Sequence, residues 1–152
     1  TRKESSAASD VYKRQVLELK AHSKPEREIK AVEEIVSMIK KMGLEPRMIY
    51  ITFSSHALKE LIRQAPTSTP VYYLKGDLSP QQLKELGSAG PDYHFSEFYR
   101  YTDWIESCHA LGLKVNVWTV NKKEDMQYFW DKVDFITTDE PLGLLKDIMK
   151  VK

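Results

Sequence analysis

A carboxylate and an amine lie two residues apart in the short apolar segment at residues 16–20, which reads Val-Leu-Glu-Leu-Lys. On a β-strand alternate side chains share a face, so Glu18 and Lys20 point one way while Leu17 and Leu19 point the other. A strand buried on both faces normally carries no charge, so two opposite charges on one face indicate a polar pocket. Glu18 could hold a cation there and Lys20 an anion. The alternative is an edge strand with an ordinary solvated ion pair.

Length and composition limit the function classes. The 152 residues are enough for one domain with a substantial core. The net charge of +1 does not indicate a nucleic-acid partner. No apolar run approaches the length that crosses a bilayer, so no transmembrane segment is expected. A single cysteine, Cys108, excludes an internal disulfide and a thiolate metal cluster, and the sequence does not assign a compartment.

The N-terminal residues 1–15 stand apart from the rest of the chain. The string at residues 5–15, Ser-Ser-Ala-Ala-Ser-Asp-Val-Tyr-Lys-Arg-Gln, has no apolar period. It resembles the translation of a sequencing-library adapter. This resemblance implies a non-native tail at residues 1–15, with the native domain at residues 16–152 cut off at its start. A natural disordered tail is the alternative.

From Val16 onward, strand and helix signals alternate. Bulky and β-branched segments predict strands, and apolar residues at helical spacing, opened by proline or serine and closed by glycine, predict helices. Strands are predicted at residues 16–20, 47–53, 71–74, 92–95, 114–120 and 134–138, and helices at residues 25–42, 55–66, 79–87, 102–112, 122–132 and 141–149. Six strand-then-helix units with short loops predict a parallel sheet.

Two α/β architectures satisfy this alternation. One is an incomplete (β/α)₈ TIM barrel with six of its eight units, and the other is a six-stranded doubly wound parallel sheet. Lys20 ends the first predicted strand, and Asn121 and Asp139 directly follow later ones. A barrel builds its site at the carboxyl ends of its strands. The segment at residues 48–53 also has large side chains on both faces, as a strand between barrel interior and outer helices would. The sequence therefore favours the barrel.

Four segments together resemble the later motifs of the glycerophosphodiester phosphodiesterase family. They are Leu-Glu-Leu-Lys at 17–20, Ile-Thr-Phe at 51–53, Val-Asn-Val-Trp-Thr-Val-Asn at 115–121 and Asp-Phe-Ile-Thr-Thr-Asp-Glu-Pro at 134–141. Order and spacing agree from Val16 to the end of the chain. That family is a (β/α)₈ barrel, in which residues 17–20 would form the third strand.

The resemblance implies a hydrolase that splits a glycerophosphodiester, a small molecule, into glycerol 3-phosphate and an alcohol. Glu18 matches the family's metal-ligating glutamate, and Lys20 matches the catalytic lysine beside the phosphate. Trp118 and Phe53 would contact the substrate; for Trp118 a barrel-core aromatic is the alternative. The implied cofactor is a divalent metal, Ca²⁺ or Mg²⁺, because hard cations take carboxylate oxygens and polarise phosphoryl groups.

The chain also departs from the family's pattern. The opening His-Arg pair, the Glu-x-Asp metal ligands and a second catalytic histidine would precede residue 16. The histidines that are present do not match those positions; they are His22, His56, His94 and His109. One carboxylate cannot complete a site for a hard cation, so we predict that the chain as written is inactive. Lys132 replaces a usual glycine, and a left-handed backbone is expected there.

Two other functions fit the sequence. The first is another barrel-type, metal-dependent phosphodiesterase, such as a phospholipase, which would share Glu18. The second is a doubly wound module that binds a phosphorylated ligand without turning it over. No glycine-rich phosphate loop follows any predicted strand, which weighs against this second alternative.

Overall fold

The computed structural model describes residues 13–143 and 145–146. The chain divides into two compact units, Thr1–Val71 and Tyr72–Lys152. Most of the predicted tail at residues 1–15, and the part of the last predicted helix beyond Lys146, lie outside the described residues. No helix in the described part of the chain is long and apolar enough to span a bilayer.

The first unit contains two parallel strands, each followed by a helix. Their bounds are β1 Gln15–Leu19, α1 Pro25–Lys41, β2 Met48–Thr52 and α2 Ser55–Gln64. Pro25 at the first helical position suits α1, because a proline there sacrifices no hydrogen bond. The parallel register places Leu19 beside Thr52, so both strands end at the same edge.

The core of the first unit lies between these strands and helices. Val32 of α1 and Leu58 and Leu61 of α2 are fully buried, at the three-to-four-residue spacing of an apolar helix face. Tyr50 of β2 is buried as well. Burying a leucine side chain stabilises a fold by about 1.5–3 kcal/mol, so this contact surface holds the helices on the strands.

The second unit continues the alternation. Its first strand, β3 Val71–Tyr73, begins at the last residue of the first unit. The elements after it are α3 Pro80–Leu86, β4 Gly90–His94, α4 Phe95–Arg100, α5 Trp104–Ala110, β5 Asn116–Trp118, α6 Lys123–Phe129 and β6 Phe135–Ile136. β4 pairs in parallel with β3 and β5, and β5 pairs in parallel with β6. Helices therefore connect parallel strands here too, as the sequence predicted.

Aromatic side chains fill the core of the second unit. The ring of Tyr93 meets Tyr73 edge-on at 6.2 Å and stacks on Phe98 at 6.1 Å, between ring centroids. Its hydroxyl donates to the carbonyl oxygen of Leu78 at 2.7 Å, so the buried polar group is satisfied. Phe129 of α6 meets Phe98 of α4 edge-on, which joins α6 to this core.

The structure corrects several boundaries. Phe95 was predicted to end a strand, but it begins α4, which the sequence did not predict. His94 caps that helix, because its Nδ1 accepts the Ser96 backbone N–H at 3.2 Å. The left-handed backbone expected at Lys132 is wrong, since no described residue other than glycine has a positive φ. Instead the Lys132 N–H donates to the carbonyl oxygen of Phe129 and its ammonium to that of Tyr128.

Candidate active site

The first unit brings Lys20 and Phe53 to one edge of its strand pair. Lys20 directly follows β1 and Phe53 directly follows β2. The buried Thr52 joins the two strand ends, because its hydroxyl donates to the carbonyl oxygen of Leu19 at 2.9 Å and accepts the Ser54 N–H at 3.1 Å. Phe53 is 39% exposed, so its ring offers an apolar surface at this edge.

Glu18 and Lys20 form an ion pair beside that edge. The Lys20 Nζ lies 3.0 Å from the Glu18 Oε1, and their side chains are 77% and 28% exposed, respectively. The Glu18 Oε1 is shielded from solvent, and the Lys20 ammonium is the charged group beside it. Glu18 and Lys20 therefore lie on one face, as the sequence predicted. The Glu18 carboxylate is partly buried, and the exposed Lys20 side chain extends to it.

A buried glutamate that the sequence did not single out lies behind this edge. Glu28, in the first turn of α1, has a 4% exposed side chain. Its Oε1 accepts the His22 backbone N–H at 3.0 Å, and its Oε2 accepts the Ser54 hydroxyl at 2.8 Å and the His56 Nδ1 at 2.9 Å. Burial alone would raise the pKa of Glu28, but these hydrogen bonds and the charge of His56 outweigh burial and lower it.

The second unit places Trp118 against His94. The strand register sets Trp118 beside His94, and their ring centroids lie 5.0 Å apart, edge to face. The Trp118 Nε1 donates to the carbonyl oxygen of Asp92 at 2.7 Å, which fixes the orientation of the indole. The Nδ1 of His94 accepts the Ser96 N–H, so a neutral His94 carries its proton on Nε2.

Two buried polar side chains precede these rings on the same face of the sheet. Asp92 pairs in register with Asn116, and one side-chain oxygen of each lacks a hydrogen-bond partner in the described part of the chain. Burial raises the pKa of Asp92 to about 7. A carboxylate within a strand was a visible signal in the sequence, but only the register shows that an amide lies beside it.

Asn121 and Asp139, which follow predicted strands, meet beyond β5 and β6. The Asn121 Nδ2 donates to the Asp139 carboxylate at 2.8 Å, and the Asn121 Oδ1 accepts the Asp139 backbone N–H at 3.0 Å. The Thr138 hydroxyl also donates to the Asn121 Oδ1, at 3.2 Å. These bonds order an exposed polar edge in the second unit.

Comparison with known proteins assigns the chain to a family. The model of the Glycerophosphoryl diester phosphodiesterase family matches residues 10–142. The chain belongs to this family. A curated relative, the glycerophosphodiester phosphodiesterase of Caldanaerobacter subterraneus subsp. tengcongensis, is 30% identical over 123 residues, which are 78% of this chain and 49% of the relative.

Solved structures agree with the assignment to the glycerophosphodiester phosphodiesterases. A crystal structure of a glycerophosphodiester phosphodiesterase from Parabacteroides distasonis is 44% identical, with a TM-score of 0.86 over 91% of this chain and 58% of that one. A phosphodiesterase from Oleispira antarctica, solved with the product sn-glycerol-3-phosphate, shares the fold at 19% identity, with a TM-score of 0.65 over 89% of this chain and 56% of that one. The chain spans about half the length of these relatives.

The likeness to the Parabacteroides enzyme decides between the two predicted architectures. The chain has the α/β arrangement of the family's TIM barrel, with six parallel strands and helices between them. The barrel prediction is confirmed, and the doubly wound sheet is dropped. The family consists of enzymes that split phosphodiesters.

Phosphodiesterases of this family generally depend on a divalent metal, but the described residues do not assemble a site for one. Nowhere in residues 13–143 and 145–146 do three or more His, Cys, Asp or Glu side chains come together as metal ligands would. At the predicted position Glu18 offers one carboxylate, and the Lys20 ammonium lies 3.0 Å from it. A hard cation needs about six or more oxygens, so these residues do not fit the metal by themselves.

The structure brings together some of the predicted site residues of this chain. Glu18 and Lys20 touch, and Lys20 and Phe53 share an edge of the first unit. Trp118 lies in the second unit, beside His94 and Asp92. The roles in metal and substrate binding stay predictions. His109 serves the fold, because its Nε2 contacts the Asp134 carboxylate at 2.8 Å.

Proposed function

We propose that residues 16–152 are the C-terminal part of a metal-dependent phosphodiesterase that hydrolyses glycerophosphodiesters to glycerol 3-phosphate and an alcohol. Residues 1–15 are a non-native tail in this proposal. The observation that carries it is the Glu18–Lys20 pair at the carboxyl end of β1, in a chain of this family. Barrel enzymes build their sites at that end of their strands.

The two charges have separate roles in this proposal. Glu18 supplies one carboxylate to the cofactor, Ca²⁺ or Mg²⁺, and the remaining ligands come from residues outside this chain. Lys20 contacts the phosphate, where its ammonium offsets the negative charge that develops during hydrolysis. The present ion pair is compatible with both roles, since an exposed amine on a flexible stem moves at little cost.

The proposal assigns a substrate contact to one aromatic residue in each unit. Phe53 presents a 39% exposed ring beside Lys20, suited to the carbon skeleton of the glycerol or the alcohol. Trp118 offers an indole whose orientation is fixed by its hydrogen bond to Asp92. The Oleispira enzyme was solved with sn-glycerol-3-phosphate, which makes this product the first ligand to test.

Product release by the complete protein tests the proposal. The coding sequence upstream of Val16 is recovered from the source DNA, the full protein is expressed, and glycerol 3-phosphate released from a set of glycerophosphodiesters is measured with Ca²⁺ or Mg²⁺. We expect activity from the full protein, none after chelation of the metal, and none from residues 1–152 alone. Glu18→Gln and Lys20→Met should each lower kcat about 100- to 1,000-fold.

The exposed Lys59 of α2 provides the control, since Lys59→Met should leave kcat unchanged. A Lys20→Met enzyme as active as the control would remove the role given to Lys20. Release of products other than glycerol 3-phosphate would indicate a different barrel-type phosphodiesterase. Full activity from residues 1–152 alone would show that the proposed division of the site is wrong.

A further inference from the structure

The Glu28 carboxylate joins segments that are distant in sequence. Its three hydrogen-bond donors come from the loop after β1 (the His22 N–H), the loop after β2 (the Ser54 hydroxyl) and the first turn of α2 (the His56 ring). Glu28 itself belongs to α1. One nearly inaccessible carboxylate therefore connects both loops at the carboxyl end of the strand pair.

The direction of each hydrogen bond follows from the neighbouring contacts. The Ser54 Oγ accepts the Ala57 N–H at 3.1 Å as the N-cap of α2, so the hydroxyl hydrogen is available to Glu28. An ionised carboxylate can only accept, so His56 donates through Nδ1, and Nε2 is left at its exposed end. The lowered pKa of Glu28 agrees with an ionised group that has three donors.

The two loops carry the side chains to which the proposed function gives substrate contacts. Lys20 lies two residues before His22, and Phe53 directly precedes Ser54. We infer that Glu28 is a positioning residue, which holds the Lys20 loop and the Phe53 loop in one fixed arrangement. This inference deepens the proposed function and rests on it for the roles of Lys20 and Phe53, but the coupling of the loops through Glu28 is a separate claim.

Glu60 provides a matched control within the same unit. Its carboxylate also accepts three hydrogen bonds, two from Arg63 and one from Gln64. All three come from α2, the helix that holds Glu60. Glu28→Gln and Glu60→Gln are therefore the same chemical change, and only the first weakens bonds between segments.

The test measures amide hydrogen exchange and the ring-nitrogen shifts of His56 by NMR in the ¹⁵N-labelled chain of 152 residues. We expect Glu28→Gln to speed exchange of the His22 amide at least tenfold, while the Leu61 amide changes less than twofold. The His56 proton should move from Nδ1 toward Nε2, a spectroscopic signature that general destabilisation does not produce. Glu60→Gln should leave His22 exchange within twofold of the wild type.

Unchanged His22 exchange in folded Glu28→Gln would overturn the inference, as would equal acceleration in Glu60→Gln. If Glu28→Gln does not fold, His56→Gln takes its place. His56 and His22 bond to different oxygens of Glu28. If Glu28 couples the two loops, loss of the His56 bond should make exchange of the His22 amide at least threefold faster. Unchanged exchange of that amide would again contradict the inference.

Titration with sn-glycerol-3-phosphate separates this inference from the proposed function. Saturable shifts of the Lys20 and Phe53 amides, weakened at least fivefold in Glu28→Gln and not in Glu60→Gln, would support both. If the wild-type chain shows no shifts at these amides, the roles given to Lys20 and Phe53 lose support, while the exchange result still decides whether Glu28 couples the loops.

Discussion

Single residues differ in how far the sequence reveals them. Glu18 and Lys20 were visible because strand alternation alone places them on one face, and their ion pair confirms that placement. Glu28 was not visible, since a glutamate in the first turn of a helix is common. Its charge there is attracted to the positive end of the helix dipole, so it needs no further role. Its partners lie 6, 26 and 28 residues away, so only the folded chain brings them together.

Asp92 should make the stability of the chain depend on pH. Burial raises its pKa from 3.8 to about 7, so the native state binds a proton more tightly than the unfolded chain does. Stability should therefore fall as the pH rises from about 4 to about 7. Asp92→Asn removes the buried charge, and we expect it to raise the free energy of unfolding at pH 8 by about 2 kcal/mol, with little change at pH 4.

Urea denaturation at both pH values measures this effect. The exposed Asp131 provides the control, because Asp131→Asn should change the free energy of unfolding by less than about 0.5 kcal/mol at either pH. A wild-type chain as stable at pH 8 as at pH 4, together with no gain from Asp92→Asn, would show that Asp92 is not a buried charge.

At the scale of elements, local signals found the alternation but not every boundary. The sequence showed that helices begin at Pro25 and after Ser79, and that a helix ends at Gly87. Gly87 closes α3 with a left-handed φ of 82°. α4 was missed because it is short and rich in aromatic residues, which suit a strand as well as a helix, and a histidine cap is not a usual start signal. β5 and β6 are shorter than predicted, since β-branched valine and threonine residues, which are typical of strands, continue past the paired positions.

Gly90 gives a test at this scale. A Cβ at Gly90, where φ is 147°, would lie 1.8 Å from the Lys114 carbonyl oxygen, so β4 can begin there only with glycine. We expect Gly90→Ala to lower the free energy of unfolding by about 3 kcal/mol or more, measured by urea denaturation.

Gly43 is the matched comparison for Gly90. It also has a positive φ, 68°, but no atom lies within 4 Å of an added Cβ. Gly43→Ala should therefore cost only about 1 kcal/mol. Equal losses for the two variants would show that the close approach to Lys114 does not matter.

At the scale of the whole molecule, the sequence predicted the class of fold well. Alternating strand and helix signals limited the chain to two parallel-sheet architectures, and the comparison structures confirmed the barrel arrangement. What periodicity could not predict is which polar groups become buried, as Glu28 and Asp92 do. Burial of polar groups depends on contacts between segments, and no local rule encodes it.

The central claim is that the Glu18–Lys20 edge belongs to a metal-dependent phosphodiester site of which this chain holds only part. Titration of Ca²⁺ and Mg²⁺ into the purified chain, followed by calorimetry, tests it most directly. With one carboxylate and an ammonium beside it, we predict no saturable binding tighter than about 1 mM, and no difference between the wild type and Glu18→Gln. Micromolar, saturable binding that Glu18→Gln abolishes would contradict the claim, because the chain would then hold a complete metal site.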